Sequence, residues 1–200
     1  TNMGATRGVV ADWLPGGNAH EVLIHEIGHA LGLKHPFEGD KRLTGAEDSQ
    51  KYTVMSYTNH PNSLFRTTTI LEAEPFAELH YTTIRPDTLM PYDILAAQYL
   101  YGANMSYHAG NDTYSFDPAA PFIRTIWDGG GTDTLSVSNF SLACTINLNP
   151  GGFSKITILS DPLPEGWTAT PPTYDGTDNL AIAFNCWIEN AIGGSGGDTL

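Results

Sequence analysis

The sequence predicts an α+β fold with its helices first and its strands last. Three observations carry this: apolar residues at helical spacing over 20–33, a second helical segment over 90–102, and a run of short β-type segments after residue 103. The composition changes near 103–108. This divides the chain into an irregular, helix-bearing part (1–105) and an all-β part (106–200).

In "HEVLIHEIGHALGL" the apolar residues Val22, Leu23, Ile27, Ala30 and Leu31 recur at helical spacing. Asn18 is the expected N-cap, with Glu21 three residues later in the capping-box position. Gly32 suits a left-handed residue where the helix must stop. Residues 37–50 are polar and charged and read as a surface loop, and 51–60 as a turn holding Met55. The stretch 62–89 reads as irregular with short helical turns. "MPYDILAAQYLYG" is the second helix, with Pro91 at its start, Gly102 at its end, and Ile94, Ala97, Leu100 and Tyr101 as its apolar face. Then come "TYSFDP", "FIRTIWD", "DTLSVSNF", "CTINLN", "SKITILS" and "LAIAFNCWI", each a short β run bounded by Gly, Pro, Asn or Asp.

A hydrophobic content of 40% over 200 residues supports a folded core. No apolar run approaches the roughly 18 residues of a membrane span. With 22 acidic against 9 basic residues the formal charge is −13, which a nucleic-acid backbone would repel. Such a surplus of acids either keeps the chain dispersed or includes ligands for hard cations such as calcium. Cys144 and Cys186 lie outside any zinc-type spacing, and both a disulfide and two buried thiols are compatible with their strand-like surroundings.

"HEIGHALGLKHP", residues 25–36, gathers three of the 7 histidines. His25 and His29, at i and i+4, share one helix face and can address a single ion. Glu26 stands beside the first of them, where it reaches a metal-bound water without binding the metal. Gly32 lets the chain reverse, so that His35 closes a third side. Three protein nitrogens leave a zinc ion one open position, the arrangement of a catalytic site. The full spacing H-E-x-x-H-x-x-G-x-x-H is far more specific than H-E-x-x-H alone. His20, His60, His80 and His108 have no partner at metal spacing and read as structural or surface residues.

These residues form the metzincin signature, and the chain resembles the serralysin branch of those metalloproteases. The proline after His35, "TVMSY" twenty residues beyond that histidine, "PYDILAAQYLYGAN", "WDGGGTDTL" and "IENAIGGSGGDTL" carry the resemblance over residues 20–200. It implies a helical catalytic subdomain followed by a calcium-binding β-sandwich or β-roll domain. His25, His29 and His35 would bind one catalytic Zn2+, with Glu26 as general base and Met55 as the apolar floor. Tyr57 would be a displaceable fourth ligand that also assists catalysis.

"GGSGGDTL" fits one copy of the calcium nonapeptide pattern, with Asp198 supplying charge and Leu200 entering the core. A single copy leaves the Asp198 site incomplete. "DGGGTD" alone reads as a glycine-rich turn with solvated aspartates. The resemblance instead implies Ca2+ ligands at His108 and Gly110 (through carbonyls), Asp112, Asp128, Gly130, Gly131, Asp133 and Glu189. Trp187 departs from the family pattern, as do residues 108–112.

The expected function is therefore a secreted zinc endopeptidase acting on protein and peptide substrates, exported by type I secretion, with a protein inhibitor as a candidate partner. The alternative is a proteolytically inactive, metal-stabilised module or an incomplete piece of such a protease. Some 19 residues precede the first helix, too few for the upstream sheet that metzincins use to hold substrate.

Overall fold

A computed structural model describes residues 12–70, 77–167 and 171–200. Helix α1 spans Asn18–Ala30 and helix α2 spans Pro91–Tyr101. Strands β1 (Leu64–Ile70) and β2 (Ala77–Thr83) pair antiparallel in register from Leu64↔Thr83 to Ile70↔Ala77. The remaining strands are short: β3 (Thr113–Ser115), β4 (Arg124–Ile126), β5 (Thr134–Ser136), β6 (Phe153–Ser154), β7 (Leu180–Ile182) and β8 (Asn190–Ile192).

The short strands form two three-stranded sheets, ordered β3-β5-β8 and β4-β7-β6. Pairing is parallel throughout the first sheet and between β4 and β7, and antiparallel between β6 and β7. From β3 to β6 the chain alternates between the sheets, so it winds as a coil instead of folding back as hairpins. Leu135 of β5, Ile126 of β4, and Leu180 and Ile182 of β7 all enter the buried core. That core also takes in Met55, Phe65, Ile84 and Met90 from earlier in the chain.

Several sequence expectations are corrected. The stretch 62–89 is no run of helical turns. It contains the β1–β2 hairpin, because β-branched Thr67–Ile70 suit an extended chain and Leu64, Arg66 and Thr68 bond outward to residues 160–174. The N-cap of α1 is Gly17, whose extended backbone makes Asn18 the first helical residue, and no side chain caps this end. Glu21 is buried and engaged elsewhere instead of closing a capping box. "CTINLN" makes no strand of its own and contributes isolated bridges at Thr145, whereas "NAI" forms β8.

The two helices also differ from expectation in what they bury. In α1 the buried residues are Glu21, His25 and Gly28, while Val22, Leu23 and Ile27 are nearly half exposed. Ile24 still packs against the core, but the most buried positions are the polar Glu21 and His25 and the small Gly28, and Val22, Leu23 and Ile27 face outward. In α2, Ile94 packs against the core but Leu100 and Tyr101 are exposed. Tyr101 lies there because its hydroxyl donates to the carbonyl of Leu31, tying α2 to the end of α1.

Candidate metal centre

Three imidazoles converge where α1 ends. His25, His29 and His35 offer ring nitrogens that all lie within 4.8 Å of one another. Gly32 has φ +87°, a left-handed conformation that costs glycine nothing, and it turns the chain so that His35 comes back over the helix.

Each ring is held by its Nδ1. His25 Nδ1 is 2.8 Å from the carbonyl of Val54, and His29 Nδ1 is 3.0 Å from that of Leu33. His35 Nδ1 is 2.9 Å from Glu38 Oε1. Carbonyl and carboxylate oxygens only accept, so all three Nδ1 atoms carry the proton and all three Nε2 atoms present a lone pair. The Nε2 atoms of His29 and His35 then face each other at 3.1 Å. Two lone pairs at that separation repel unless a cation lies between them. Tetrahedral zinc with Zn–N near 2.0–2.1 Å needs nitrogens roughly 3.4 Å apart. The donor set fits zinc on chemistry, tautomer and spacing together.

The Tyr57 hydroxyl is 2.9 Å from His35 Nε2, and its ring stacks near those of His25 and Phe37. Tyr57 is 69% exposed. Glu26 follows His25 on the exposed side of α1 and shares a cavity wall with His25 and Tyr57.

Met55 is buried, with its sulfur against Gly28 of α1. A Cβ on Gly28 would collide with its sulfur, so the "G" of "HEIGH" is the notch that admits Met55. The turn carrying Met55 is pinned from below by Asp93 of α2. This carboxylate accepts from Thr53 Oγ1, Val54 N (2.8 Å) and Met90 N (2.9 Å). Burial pushes the Asp93 carboxyl up to about 6. Through Val54, whose N–H binds Asp93 and whose carbonyl holds His25, helix α2 helps to aim a histidine. Gly28, Glu38 and Asp93 escape a reading based on ligand spacing. Only a glycine inside a helix and a buried-type aspartate three residues after Met90 hint at them.

A second cluster has oxygen chemistry. His108, Asp112 and Asp128 place ligand atoms within 4.8 Å of one another. Asp133 joins them: its Oδ1 accepts from Asp112 N, and its own N–H donates to Glu189 Oε2. Gly130 N donates to Asp128 Oδ1, and a Cβ on Gly131 would overlap the carbonyl oxygen of Gly110. Gly130 and Gly131 take φ of +132° and +152°, so this turn needs glycine at both positions. The His108 ring takes part, with Nδ1 3.3 Å from Asp112 Oδ2.

Asp133 is fully buried, and its Oδ2 has no partner among the described residues. Burial, then the charges of Asp128, Glu189 and Asp112, raise its carboxyl above the usual range. An orphaned buried carboxylate oxygen among other carboxylates fits a hard cation such as calcium.

Asp198 stands apart from this cluster. Its two oxygens accept from Cys144 N and Gly194 N, so it closes the glycine turn. Leu200 is 67% exposed and does not enter the core as expected, because no described segment stacks over it. Cys144 and Cys186 are both free and buried.

Comparison with known proteins bears on both clusters. Residues 90–163 match the family Peptidase M10 serralysin C terminal, a segment that begins at α2. The chain is 36% identical over 200 residues to Serralysin C of Dickeya chrysanthemi, covering 90% of this chain and 35% of that protein. This chain carries a serralysin C-terminal segment and is similar to the serralysins along about 90% of its length. Serralysin of Proteus mirabilis is 35% identical over 198 residues, covering 89% of this chain and 34% of its own length. Metalloprotease AprA of Pseudomonas entomophila is 33% identical over 205 residues, covering 92% and 37%. The chain thus spans about a third of the length of the curated serralysins it matches. No helix among the described residues is long and apolar enough to cross a membrane.

Proposed function

We propose that this chain carries the zinc-binding and proton-transfer machinery of a secreted zinc endopeptidase, joined to a calcium-stabilised β region. One observation carries the reading: three Nε2 lone pairs are aimed at a common point by three separately anchored Nδ1 atoms, with Glu26 alongside. In this reading residues 1–105 are the lower part of a helical catalytic domain. Residues 106–200 begin a calcium-binding C-terminal domain. Export by type I secretion and inhibition by a protein partner follow from the family resemblance.

His25, His29 and His35 would hold the zinc, with Tyr57 as a fourth, displaceable contact. Bound there, zinc supplies Lewis acidity that lowers the pKa of its water and polarises the scissile carbonyl. Glu26 takes the proton of the attacking water and returns it to the leaving amine. Tyr57, exposed at the mouth of the site, donates its hydroxyl to the oxygen that becomes negative. Met55 and Asp93 keep the histidines from shifting while charge moves. Calcium would sit among Asp112, Asp128, Asp133 and Glu189, with His108 and the backbone of Gly110, Gly130 and Gly131 around it.

One observation favours a metal-bound module without turnover. Val22, Leu23 and Ile27 leave an apolar face of α1 open. A single experiment separates the readings: cleavage of an unfolded protein by zinc-loaded chain beside Glu26→Gln. The expected outcome is one zinc per chain in both proteins, with turnover falling about 10²–10⁴-fold in the variant. Equal turnover would remove Glu26 from its role. Zinc bound with no turnover in either would favour the module.

A further inference from the structure

A cavity of about 780 Å³ opens between the loop that follows α1 and helix α2. That is within the roughly 300–1,000 Å³ of small-molecule sites. None of His25, Glu26, His29, His35 and Tyr57 lines it, so it is separate from the nitrogen cluster. Leu33, Pro36, Leu43, Leu95, Ala96 and Leu100 make its wall apolar, with buried Met55 among them. Leu95 and Leu100 are 39% and 51% exposed, so the apolar wall is open to an occupant.

The polar groups of the wall are already spent. Asp93, its one acid, is 2% exposed and accepts from Thr53 Oγ1, Val54 N and Met90 N. The Tyr92 hydroxyl donates to Glu47 Oε1 at 2.7 Å. The Leu33 carbonyl is taken by His29 Nδ1, and the Pro36 carbonyl accepts from Leu43 N. A peptide laid in this cavity would find few partners for its N–H and C=O groups and would lose the hydrogen bonds it makes in water. A hydrocarbon chain has none to lose.

The charges that face this wall are of one sign. Lys34, Lys41 and Arg42 line the cavity, three of only 9 basic residues in a chain of formal charge −13. All three are exposed, and none forms an ion pair among the described residues. Lys34 donates to the carbonyls of Glu38 and Lys41, which fixes it to its own loop. Glu38 feels the Lys34 charge but is committed to His35 Nδ1. The side chains of Lys41 and Arg42 make no hydrogen bond among the described residues. An apolar body with an anionic end matches this arrangement, whereas a cationic end meets three like charges.

We propose that this cavity binds the free anion of a medium-chain fatty acid, its hydrocarbon chain along the wall of Leu33, Leu43, Leu95 and Leu100 and its carboxylate at Lys41 and Arg42. The site stands on the cavity alone and does not depend on the endopeptidase reading.

The test is an NMR titration of the zinc-loaded protein, labelled in its leucine methyl groups, with decanoate, hexanoate and decyltrimethylammonium below their micelle-forming concentrations. Decanoate should give saturable shifts of the Leu33, Leu43, Leu95 and Leu100 methyls. Each methylene removed should weaken binding about three-fold, which makes hexanoate at least about 30-fold weaker. The ammonium compound keeps the tail and reverses the charge, and it should bind at least about five-fold more weakly than decanoate. The working variant is Lys41→Glu with Arg42→Glu, since both side chains are exposed and unpartnered among the described residues and their loss leaves the wall intact. Its preference should pass to the ammonium compound. Absent shifts, or shifts confined to other leucines, would overturn the site. Equal binding of decanoate and the ammonium compound, or a preference unchanged in the double variant, would overturn the fatty-acid assignment and leave a groove suited to an apolar protein segment.

Discussion

The two ligand clusters are built on opposite principles. Around His25, His29 and His35 every Nδ1 proton has an acceptor, two of them backbone carbonyls. Around Asp112, Asp128 and Asp133 negative charges crowd together, and a fully buried carboxylate oxygen has no partner among the described residues. The nitrogen site is prepared by its surroundings, whereas the oxygen site is completed by what it binds. Zinc should therefore matter mainly for chemistry and calcium mainly for stability.

Metal withdrawal probes that difference most directly. Saturating calcium, at about 100-fold over its dissociation constant, should stabilise the protein by about 2.7 kcal/mol. For a chain of this size that is about 5–10 °C in melting temperature. Removing zinc alone should move the melting point by much less. Asp133→Asn sharpens the comparison, because it deletes the strained charge. The variant should melt higher than the wild type without calcium and gain little when calcium is added. The sign of the pH effect agrees: a carboxyl raised in the folded state contributes stability at low pH that is lost as pH rises through its folded pKa. Scanning calorimetry with selective chelators decides it. A large loss on zinc removal with none on calcium removal would invert the comparison.

His60 is an imidazole of a third kind, with neither nitrogen free for a metal. Its Nδ1 accepts from Asn62 N, and its Nε2 donates to the carbonyl of Asp178. Burial lowers its pKa to about 4 from an ordinary 6.5. For a histidine depressed in the folded state, the stability it contributes is present above pH 6.5 and is lost as pH falls toward 4. The loss is about 3 kcal/mol at most. Urea melts at pH 7 and pH 4.5 should show a smaller acid loss for His60→Gln than for wild type, with zinc stoichiometry unchanged at pH 7. Equal acid sensitivity would assign the loss to carboxylates instead.

What the sequence discloses follows from how local each feature is. The i, i+4 spacing of His25 and His29 and the turn at Gly32 are decided within one helix, so they can be read directly from the residues. The β1–β2 hairpin is not legible, because β1 also bonds to residues nearly a hundred positions away, at Ser160 and Asp161. The apolar pattern of α1 signals a helix but not its orientation, since the site claims the polar face and leaves Val22, Leu23 and Ile27 outward. Glu21 shows the same limit. Its sequence position suits a capping box, yet Gln50 and Arg85, 29 and 64 residues away, decide what it does. Calcium-type residues are visible as Gly–Asp patterns, but only packing distinguishes Asp133, whose buried Oδ2 has no partner among the described residues, from Asp198, spent on backbone N–H groups.

The smallest expected effect concerns the one histidine of the nitrogen cluster not held by backbone. His35 donates Nδ1–H to Glu38 Oε1, and that bond holds the Glu38 carboxyl below its usual range. A carboxylate acceptor makes the imidazole a better donor to metal, and removing such partners typically costs 10–100-fold in affinity. Glu38 is half exposed, so Glu38→Gln should weaken zinc binding by about 10-fold or less, measured by competition with a chromophoric chelator. The glutamine oxygen can still accept the proton, so only the charge is removed. Unchanged affinity would mean that His35 is aimed by Phe37, whose ring stacks on it at 5.1 Å and 8°. The nitrogen site would then be ordered by packing at its third ligand as well, and the contrast with the charge-crowded oxygen site would be sharper still.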